Sequence, residues 1–101
     1  MDDERVLKER SRIRAQRLAV ARSKGKHTAR EWVELCQEFA FKCVKCGSSE
    51  RIVKDHIVPI YQGGSDGIDN LQPLCVSCNC RKGPDTTNWV NFRREEKEPS
   101  A

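Results

Sequence analysis

Residues 75–83 read CVSCNCRKG, and the spacing of their cysteines decides how the rest of the chain is interpreted. Cys75 and Cys78 form a C-x-x-C pair, which is typical of a turn that presents two thiolates to one metal ion. An earlier pair, Cys43 and Cys46 in CVKC, completes a set of four. Four thiolates close a tetrahedron around Zn²⁺ and leave no open position, so the sequence predicts a structural zinc site.

The gap between the two pairs predicts what lies inside the site. Residues 47–74 make a gap of 28 residues, whereas the usual four-cysteine spacing has about 15–20, so an inserted element is needed. The β-branched stretch RIVKDHIVPI predicts a strand that ends near His56, and LQPLC predicts a short extended return. A helix is expected from Val76 to Lys82, where Gly83 and a proline stop it.

Length and composition fit one small domain in a reducing compartment. The chain has 101 residues, of which 34% are charged, and a core this small often needs a metal or a disulfide. No apolar run is long enough to span a membrane, and the beginning MDDERVLKER lacks a signal-peptide core. We therefore expect a cytoplasmic protein whose six cysteines stay reduced. Two redox dithiols are the alternative, although neither pair begins a helix of a βαβ unit.

The positive charge is concentrated at the N-terminus. Residues 1–26 hold nine Lys/Arg against four acids, net +5, whereas residues 27–101 hold ten against eleven, net −1. Residues 4–23 contain no Gly or Pro and only a thin apolar stripe, which predicts a loosely docked helix. We interpret residues 1–26 as a basic helical arm with a polyanionic partner. A solvated helix face is the alternative.

The segments after the arm predict one folded domain over residues 27–98 and a frayed tail over residues 99–101. Thr28 and Glu31 form a capping-box pattern ahead of an amphipathic helix over residues 29–40. A last helix with an apolar side is predicted within DTTNWVNFRREEKE.

Three further residues receive no chemical role. Cys36 falls on the apolar side of its helix and is expected in the core. Cys80 should point away from the zinc tetrahedron, because a helix separates it from Cys78 by about 200°. His27 directly precedes a capping threonine and is expected at the surface.

Four polar residues lie between or just after the cysteine pairs: Asp55, His56, Asn70 and Asn79. Neighbours in a strand point to opposite faces, so Asp55 and His56 meet at one point only if the backbone bends at the strand end. Pro59 and the nearby glycines allow such a bend. A histidine can act as a neutral base near pH 7, and carboxylate and amide oxygens suit Mg²⁺ or Mn²⁺.

The segments CVKC, DHIVP, GGSDGIDNLQPLC and CVSCNCRKG occur in this order and resemble the HNH endonuclease family in its four-cysteine form. The resemblance covers about Cys43 to Gly83. It implies an α+β fold, with a ββα-metal core and flanking helices, and metal-dependent hydrolysis of DNA phosphodiester bonds. The chain departs from the usual family pattern at Asn79, where a histidine is common. An amide oxygen there favours Mg²⁺ or Mn²⁺ over Zn²⁺ as the catalytic ion.

The resemblance also implies a role for each matching residue. His56 would activate a water as general base, and Asn70 would orient that base and pin its loop. Asp55 and Asn79 would hold the divalent metal. DNA contacts are expected from the arm and from the helix after the last cysteine pair, at Arg10, Arg14, Arg17, Arg81 and Lys82. For the last two, stabilisation of a helix C-terminus by cations is an equal alternative.

The partner implied by the resemblance is DNA, bound with low sequence specificity because no separate reader motif is visible. One active site cuts one strand, so a monomer is expected to nick. Small stand-alone members are frequent in phages and prophages, where some assist the DNA-packaging terminase, which implies a bacterial host cytoplasm. The alternative function is a zinc-stapled DNA- or protein-binding module whose nuclease site has decayed at Asn79.

Overall fold

The computed structural model describes residues 3–97, with side chains for residues 12–96. Its regular elements are helix α1 (Asp3–Lys24), helix α2 (Ala29–Glu38), strand β1 (Ile52–His56), strand β2 (Leu71–Cys75), helix α3 (Val76–Lys82) and helix α4 (Trp89–Lys97). Two single-turn 3₁₀ helices lie in the loop between the strands. This α+β arrangement confirms the predicted fold class. The frayed tail predicted at 99–101 lies outside the described residues.

The two strands form an antiparallel hairpin that leads directly into α3, which gives the ββα order. Their register places Asp55 opposite Gln72 and His56 opposite Leu71. All five residues of β2 are buried, because α2 and α3 both pack against it. The predicted bounds of α3 agree with the structure, and the helix ends at Gly83, whose φ is +54°. The strand ends and α3 therefore meet at one place.

Helix α2 begins at the predicted capping box. The Thr28 hydroxyl accepts a hydrogen bond from the Glu31 backbone N–H, and the Glu31 carboxylate accepts one from the Thr28 N–H. The helix ends at Glu38, two residues earlier than predicted, because Ala40 and Phe41 turn to positive φ values of 55° and 56°. This left-handed turn directs the chain into the first cysteine pair.

Helix α1 is attached to the rest of the molecule through its C-terminal end. Ala21 is buried, and its carbonyl accepts a 3.2 Å hydrogen bond from the Asp66 N–H. The Lys24 ammonium donates to the Gly63 carbonyl at 2.9 Å. The apolar residues Ile13 and Val20 remain exposed, in agreement with a thin stripe. Because α1 contacts the loop between the strands, the arm borders the region where the hairpin ends.

The core joins the hairpin to α2 and α4. Its buried aliphatic members are Leu35, Val44, Leu71, Leu74 and Val90, and three of the paired cysteines belong to the same cluster. Cys36 is buried as predicted. In the part of the chain that the structure describes, no helix is both long enough and apolar enough to cross a membrane.

Candidate functional site

The two cysteine pairs meet in one cluster. The sulfur atoms of Cys43, Cys46, Cys75 and Cys78 all lie within 4.8 Å of one another, and the Cys46 and Cys75 sulfurs are 3.7 Å apart. A tetrahedral zinc with Zn–S bonds of about 2.3 Å places its sulfurs roughly 3.8 Å apart. The cluster therefore fits a structural Zn²⁺. It does not fit two independent dithiols, because all four sulfurs share one centre.

Each pair is presented by a tight turn. The Cys46 backbone N–H points at the Cys43 sulfur at 3.5 Å, and the Cys78 N–H points at the Cys75 sulfur at 3.4 Å. Gly47 completes the first turn with a φ of +81°, which a side chain would strain. These N–H groups favour thiolate over thiol, which prepares the sulfurs to bind a cation.

The thiols of the cluster do not ionise alike. Burial raises the pKa of Cys43, but hydrogen bonds from the backbone of Cys46, Cys75 and Lys45 outweigh it and lower that pKa to about 7. Burial and hydrogen bonding with the neighbouring cysteines raise the pKa of Cys78 to about 12. Several negative sulfurs therefore cannot coexist at neutral pH without a cation among them. Cys80 is exposed outside the cluster, as predicted.

Asp55 lies at the floor of the site, with its side chain only 7% exposed. One carboxylate oxygen accepts hydrogen bonds from the Gln72 amide at 2.8 Å and from the Lys82 ammonium at 3.0 Å. The other oxygen accepts a 3.1 Å hydrogen bond from the Asn79 amide. Gln72 is itself fixed, because its carbonyl oxygen accepts from the Trp89 N–H at 3.0 Å. Asp55 and Asn79 are thus in direct contact, and their predicted role as metal ligands stays a prediction.

Lys82 differs from its predicted place at a phosphate-facing surface. Its side chain is 8% exposed, and its ammonium also donates to the carbonyls of His56 and Ile57. With Asp55 these acceptors use all three of its N–H groups. The physical reason is the rotation of α3, which turns Lys82 inward and leaves Arg81 exposed. Lys82 is therefore the internal counter-ion of a buried carboxylate.

The donor set beside Asp55 suits a hard divalent cation. The Asp55 carboxylate and the Asn79 amide carry the oxygen atoms that Mg²⁺ prefers, and water and phosphate would complete its shell. In this structure the Asn79 NH₂, not its oxygen, faces Asp55, so joint coordination requires the amide to turn over. Both side chains border the same cleft. The Lys82 ammonium meets the same carboxylate, so the protein already holds one positive charge where a metal would act.

His56 faces a second carboxylate. Its Nε2 lies 2.8 Å from the Oδ1 of Asp66, and the imidazole is 26% exposed while Asp66 is 9% exposed. Burial raises the pKa of Asp66, but the hydrogen bond from His56 and the electrostatic influence of the neighbouring His27 and Arg22 side chains outweigh it and hold that pKa below its usual value. No contact joins His56 to Asp55 among the described side chains. The side chains of Asp55 and His56 thus border one cleft with different hydrogen-bond partners, and Lys82 links the Asp55 carboxylate to the His56 backbone carbonyl.

Asn70 pins the loop that follows His56. Its amide carbonyl accepts from the Val58 N–H at 2.9 Å, and its NH₂ donates to the carbonyls of Val58 at 3.0 Å and Ser65 at 2.7 Å. A Cβ at Gly64 would lie 1.8 Å from the Val58 carbonyl oxygen, so only glycine permits this approach. These contacts of Asn70 hold the Val58 and Ser65 backbone together across the loop. Asn70 reaches His56 through this loop, not through a hydrogen bond to the ring.

A cleft of about 470 Å³ lies between α1 and the hairpin end. Arg14 and Arg17 of α1 form one wall, and Asp55, His56, Asn79 and Lys82 form the other. Arg10 lies in α1, but its side chain is outside the described residues. The cleft is open to solvent and lined by more cations than anions, which suits a polyanion that approaches the two carboxylate networks.

His27 is not at the surface as predicted, since its side chain is only 10% exposed. Its Nδ1 lies 2.7 Å from the Asp66 carbonyl oxygen, and its Nε2 lies 3.0 Å from the Lys54 ammonium. Sequence reasoning also missed Asp66 and Gln72. Asp66 lies in a turn-rich segment where an acid is usual, and Gln72 lies in a strand too short to show its buried side.

Comparison with known protein families finds a likeness for the segment around the cleft. Residues 43–85 match the family model described as HNH endonuclease. No curated protein and no solved structure matches the chain. The matched residues include both cysteine pairs, the hairpin and α3. They also include every residue that the sequence predicted as catalytic.

Proposed function

We propose that this chain, whose residues 43–85 match the HNH endonuclease family model, is a metal-dependent DNA endonuclease. The observation that carries the proposal is the cleft in which His56, with its carboxylate partner, lies beside the Asp55–Asn79 pair. A general base next to a hard-cation donor set is what phosphodiester hydrolysis requires. The family match supplies the reaction class.

His56 acts as the base in this proposal. The ring nitrogen that does not face Asp66 takes a proton from a water in the cleft, and the water oxygen forms a bond to phosphorus. The bond from phosphorus to the 3′ oxygen breaks, and solvent water returns a proton to the leaving oxygen. The His56 side chain is 26% exposed to solvent, so water can reach the ring.

Asp55 and Asn79 would hold Mg²⁺ or Mn²⁺, which supplies charge neutralisation for the phosphate. The four cysteines would hold Zn²⁺ as a staple away from the reaction, because their cluster leaves no open ligand position. Asn79 offers an amide where the family commonly has an imidazole. For this reason the proposal favours hard ions over Zn²⁺ as the catalytic metal.

DNA would lie in the cleft between α1 and α3. Arg14 and Arg17 on one wall and the exposed Arg81 near the other would contact phosphates, while Arg10 would extend the arm. Contacts of this kind carry no sequence information, so specificity is expected to be low. A single cleft cuts one strand, so a monomer nicks. No described surface indicates a terminase partner, and the proposal therefore ends at DNA cleavage in a bacterial cytoplasm.

His56→Ala should lower the rate of nicking of supercoiled plasmid by about 10²–10⁴-fold, because the general base is lost. Wild type and variant are compared over a panel of Mg²⁺, Mn²⁺, Ca²⁺ and Zn²⁺, with bound zinc and affinity for a short duplex measured for both. Nicking by His56→Ala at the wild-type rate would remove His56 from the mechanism. Absence of nicking by wild type under every metal, with zinc and DNA binding intact, would favour the binding module.

Arg14→Gln and Arg17→Gln should each weaken DNA binding and flatten its salt dependence. Each lost phosphate contact is expected to reduce the slope of log K against log salt by about 0.9. Arg12→Gln is the matched control, because Arg12 is an exposed arginine of the same helix that does not line the cleft. Equal slopes for all three variants would show that the cleft wall is not the DNA surface.

A further inference from the structure

Asp66 is a buried acid that the family resemblance leaves without a role. It lies in the loop between the strands, and its Oδ1 is 2.8 Å from His56 Nε2. An ionised carboxylate accepts hydrogen bonds and cannot donate them. The His56 nitrogen that faces Asp66 must therefore be the donor. The proton of the neutral ring is thereby fixed on Nε2, and Nδ1 keeps the lone pair.

We propose that Asp66 is a positioning residue that fixes the orientation and tautomer of His56, so that Nδ1 is the nitrogen that takes the proton from water. This inference rests on the proposed nuclease function. The carboxylate also stabilises the positive charge that develops on the ring when Nδ1 is protonated, as a carboxylate behind a catalytic histidine does elsewhere. Its 9% exposure keeps water from weakening that interaction.

The C-terminal end of α1 and the segment that follows it hold Asp66 in place. The Asp66 N–H donates to the Ala21 carbonyl at 3.2 Å, and Arg22 Nε lies 3.6 Å from its Oδ2. His27 completes this set of contacts around Asp66, which we call the clamp. The Lys54 ammonium can only donate, so His27 Nε2 accepts from it, and His27 Nδ1 must donate to the Asp66 carbonyl at 2.7 Å.

The clamp gives the N-terminal segment a second purpose beside phosphate contact. His56 receives its orientation from Asp66, and Asp66 receives its own from residues 21–27. The catalytic geometry therefore extends beyond the matched residues 43–85. The positioning of Asp66 accounts for two features that the zinc-stapled hairpin alone does not need. These are the largely buried side chain of His27 and the docked C-terminal end of α1.

Asp66→Ala should lower kcat about 10–100-fold, as loss of a carboxylate behind a functional histidine does in metal sites, with the DNA dissociation constant and bound zinc unchanged. Asp69→Ala is the matched control, because Asp69 is an exposed acid of the same loop. Cleavage by Asp66→Ala at the rate of Asp69→Ala would overturn the proposal. If Asp66→Ala does not fold, Asp66→Asn keeps the shape and loses the charge, so its kcat should fall as well; an unchanged kcat would equally overturn the proposal.

A second measurement reads the hydrogen bond directly in the zinc-loaded full chain. Proton NMR with ¹⁵N-labelled histidine should show a slowly exchanging His56 Nε2–H signal in wild type and Asp69→Ala, absent from Asp66→Ala. A wild-type ring protonated on Nδ1 instead would overturn the proposal. A wild-type protein that shows the Nε2–H signal but cleaves no DNA under any metal would overturn the nuclease function while leaving the Asp66–His56 pair established.

Discussion

Removal of zinc by a chelator should unfold the segment from Cys43 to Gly83 and abolish the cleft. Three of the four cysteines belong to the buried core cluster, so the metal staples the core and not a peripheral turn. Apparent zinc binding energies of about 10–16 kcal/mol for small four-ligand sites equal or exceed the whole stability of a domain this size. Circular dichroism and the dispersion of the NMR spectrum, followed against zinc released to a chromogenic chelator, measure the effect.

The same experiment has a predictable pH dependence. The pKa of Cys43 is lowered from the model-compound value of 9.0 to about 7. Its thiolate therefore contributes stability that is complete above about pH 9 and is lost as the pH falls through 7. Cys78, whose pKa is raised to about 12, gives up its proton only when a metal displaces it. Zinc release should accordingly become easier as the pH falls, and more steeply below 7, where Cys43 also takes a proton.

Two cysteine variants separate the staple from a general loss of thiols. Cys46→Ser removes a ligand and should release zinc, whereas Cys80→Ser changes an exposed cysteine outside the cluster and should retain it. Retention of one zinc per chain by Cys46→Ser, or a folded hairpin after complete chelation, would contradict the zinc staple.

The zinc site and the ββα frame could be predicted because both follow from the spacing of residues that are close together in the sequence. Two C-x-x-C turns fix which thiolates meet, the β-branched and extended stretches between them predict the hairpin, and the second pair begins a short helix that Gly83 stops. Thr28 and Glu31 likewise fix the beginning of α2, since a capping box depends on residues three apart. The end of α2 was placed two residues late because the left-handed turn after it uses non-glycine residues, which give no signal.

Pairings between distant side chains could not be predicted, because they depend on how elements dock. Arg81 and Lys82 are adjacent on a helix and therefore about 100° apart around its axis, so docking decides which one faces inward. Nothing in the sequence distinguishes the buried Lys82 from the exposed Arg81. His56 and Asp66 are ten residues apart across a loop whose path is set by Asn70, so their contact is visible only in the fold.

Lys82→Met should lower the free energy of unfolding by about 3–5 kcal/mol when no Mg²⁺ is present, because it leaves the Asp55 carboxylate buried without its counter-ion. The free energy of unfolding is measured in denaturant with zinc present and other divalent ions absent. Arg81→Met is the matched control: it removes the same charge one residue earlier, from an exposed position, and should change stability by at most about 0.5 kcal/mol. Equal stabilities of the two variants would show that Lys82 does not compensate Asp55.

The double variant Asp55→Asn with Lys82→Met tests the pair itself. Each single change leaves one buried charge alone, whereas the double change removes both, so the combined loss of stability should be smaller than the sum of the single losses.

Mg²⁺ should stabilise the single variant Lys82→Met more than it stabilises wild type, since a cation that binds only the folded state raises its stability. An identical Mg²⁺ response in both proteins would contradict a shared site. A larger response in Lys82→Met would mean that the lysine and the divalent ion compete for one carboxylate, that of Asp55.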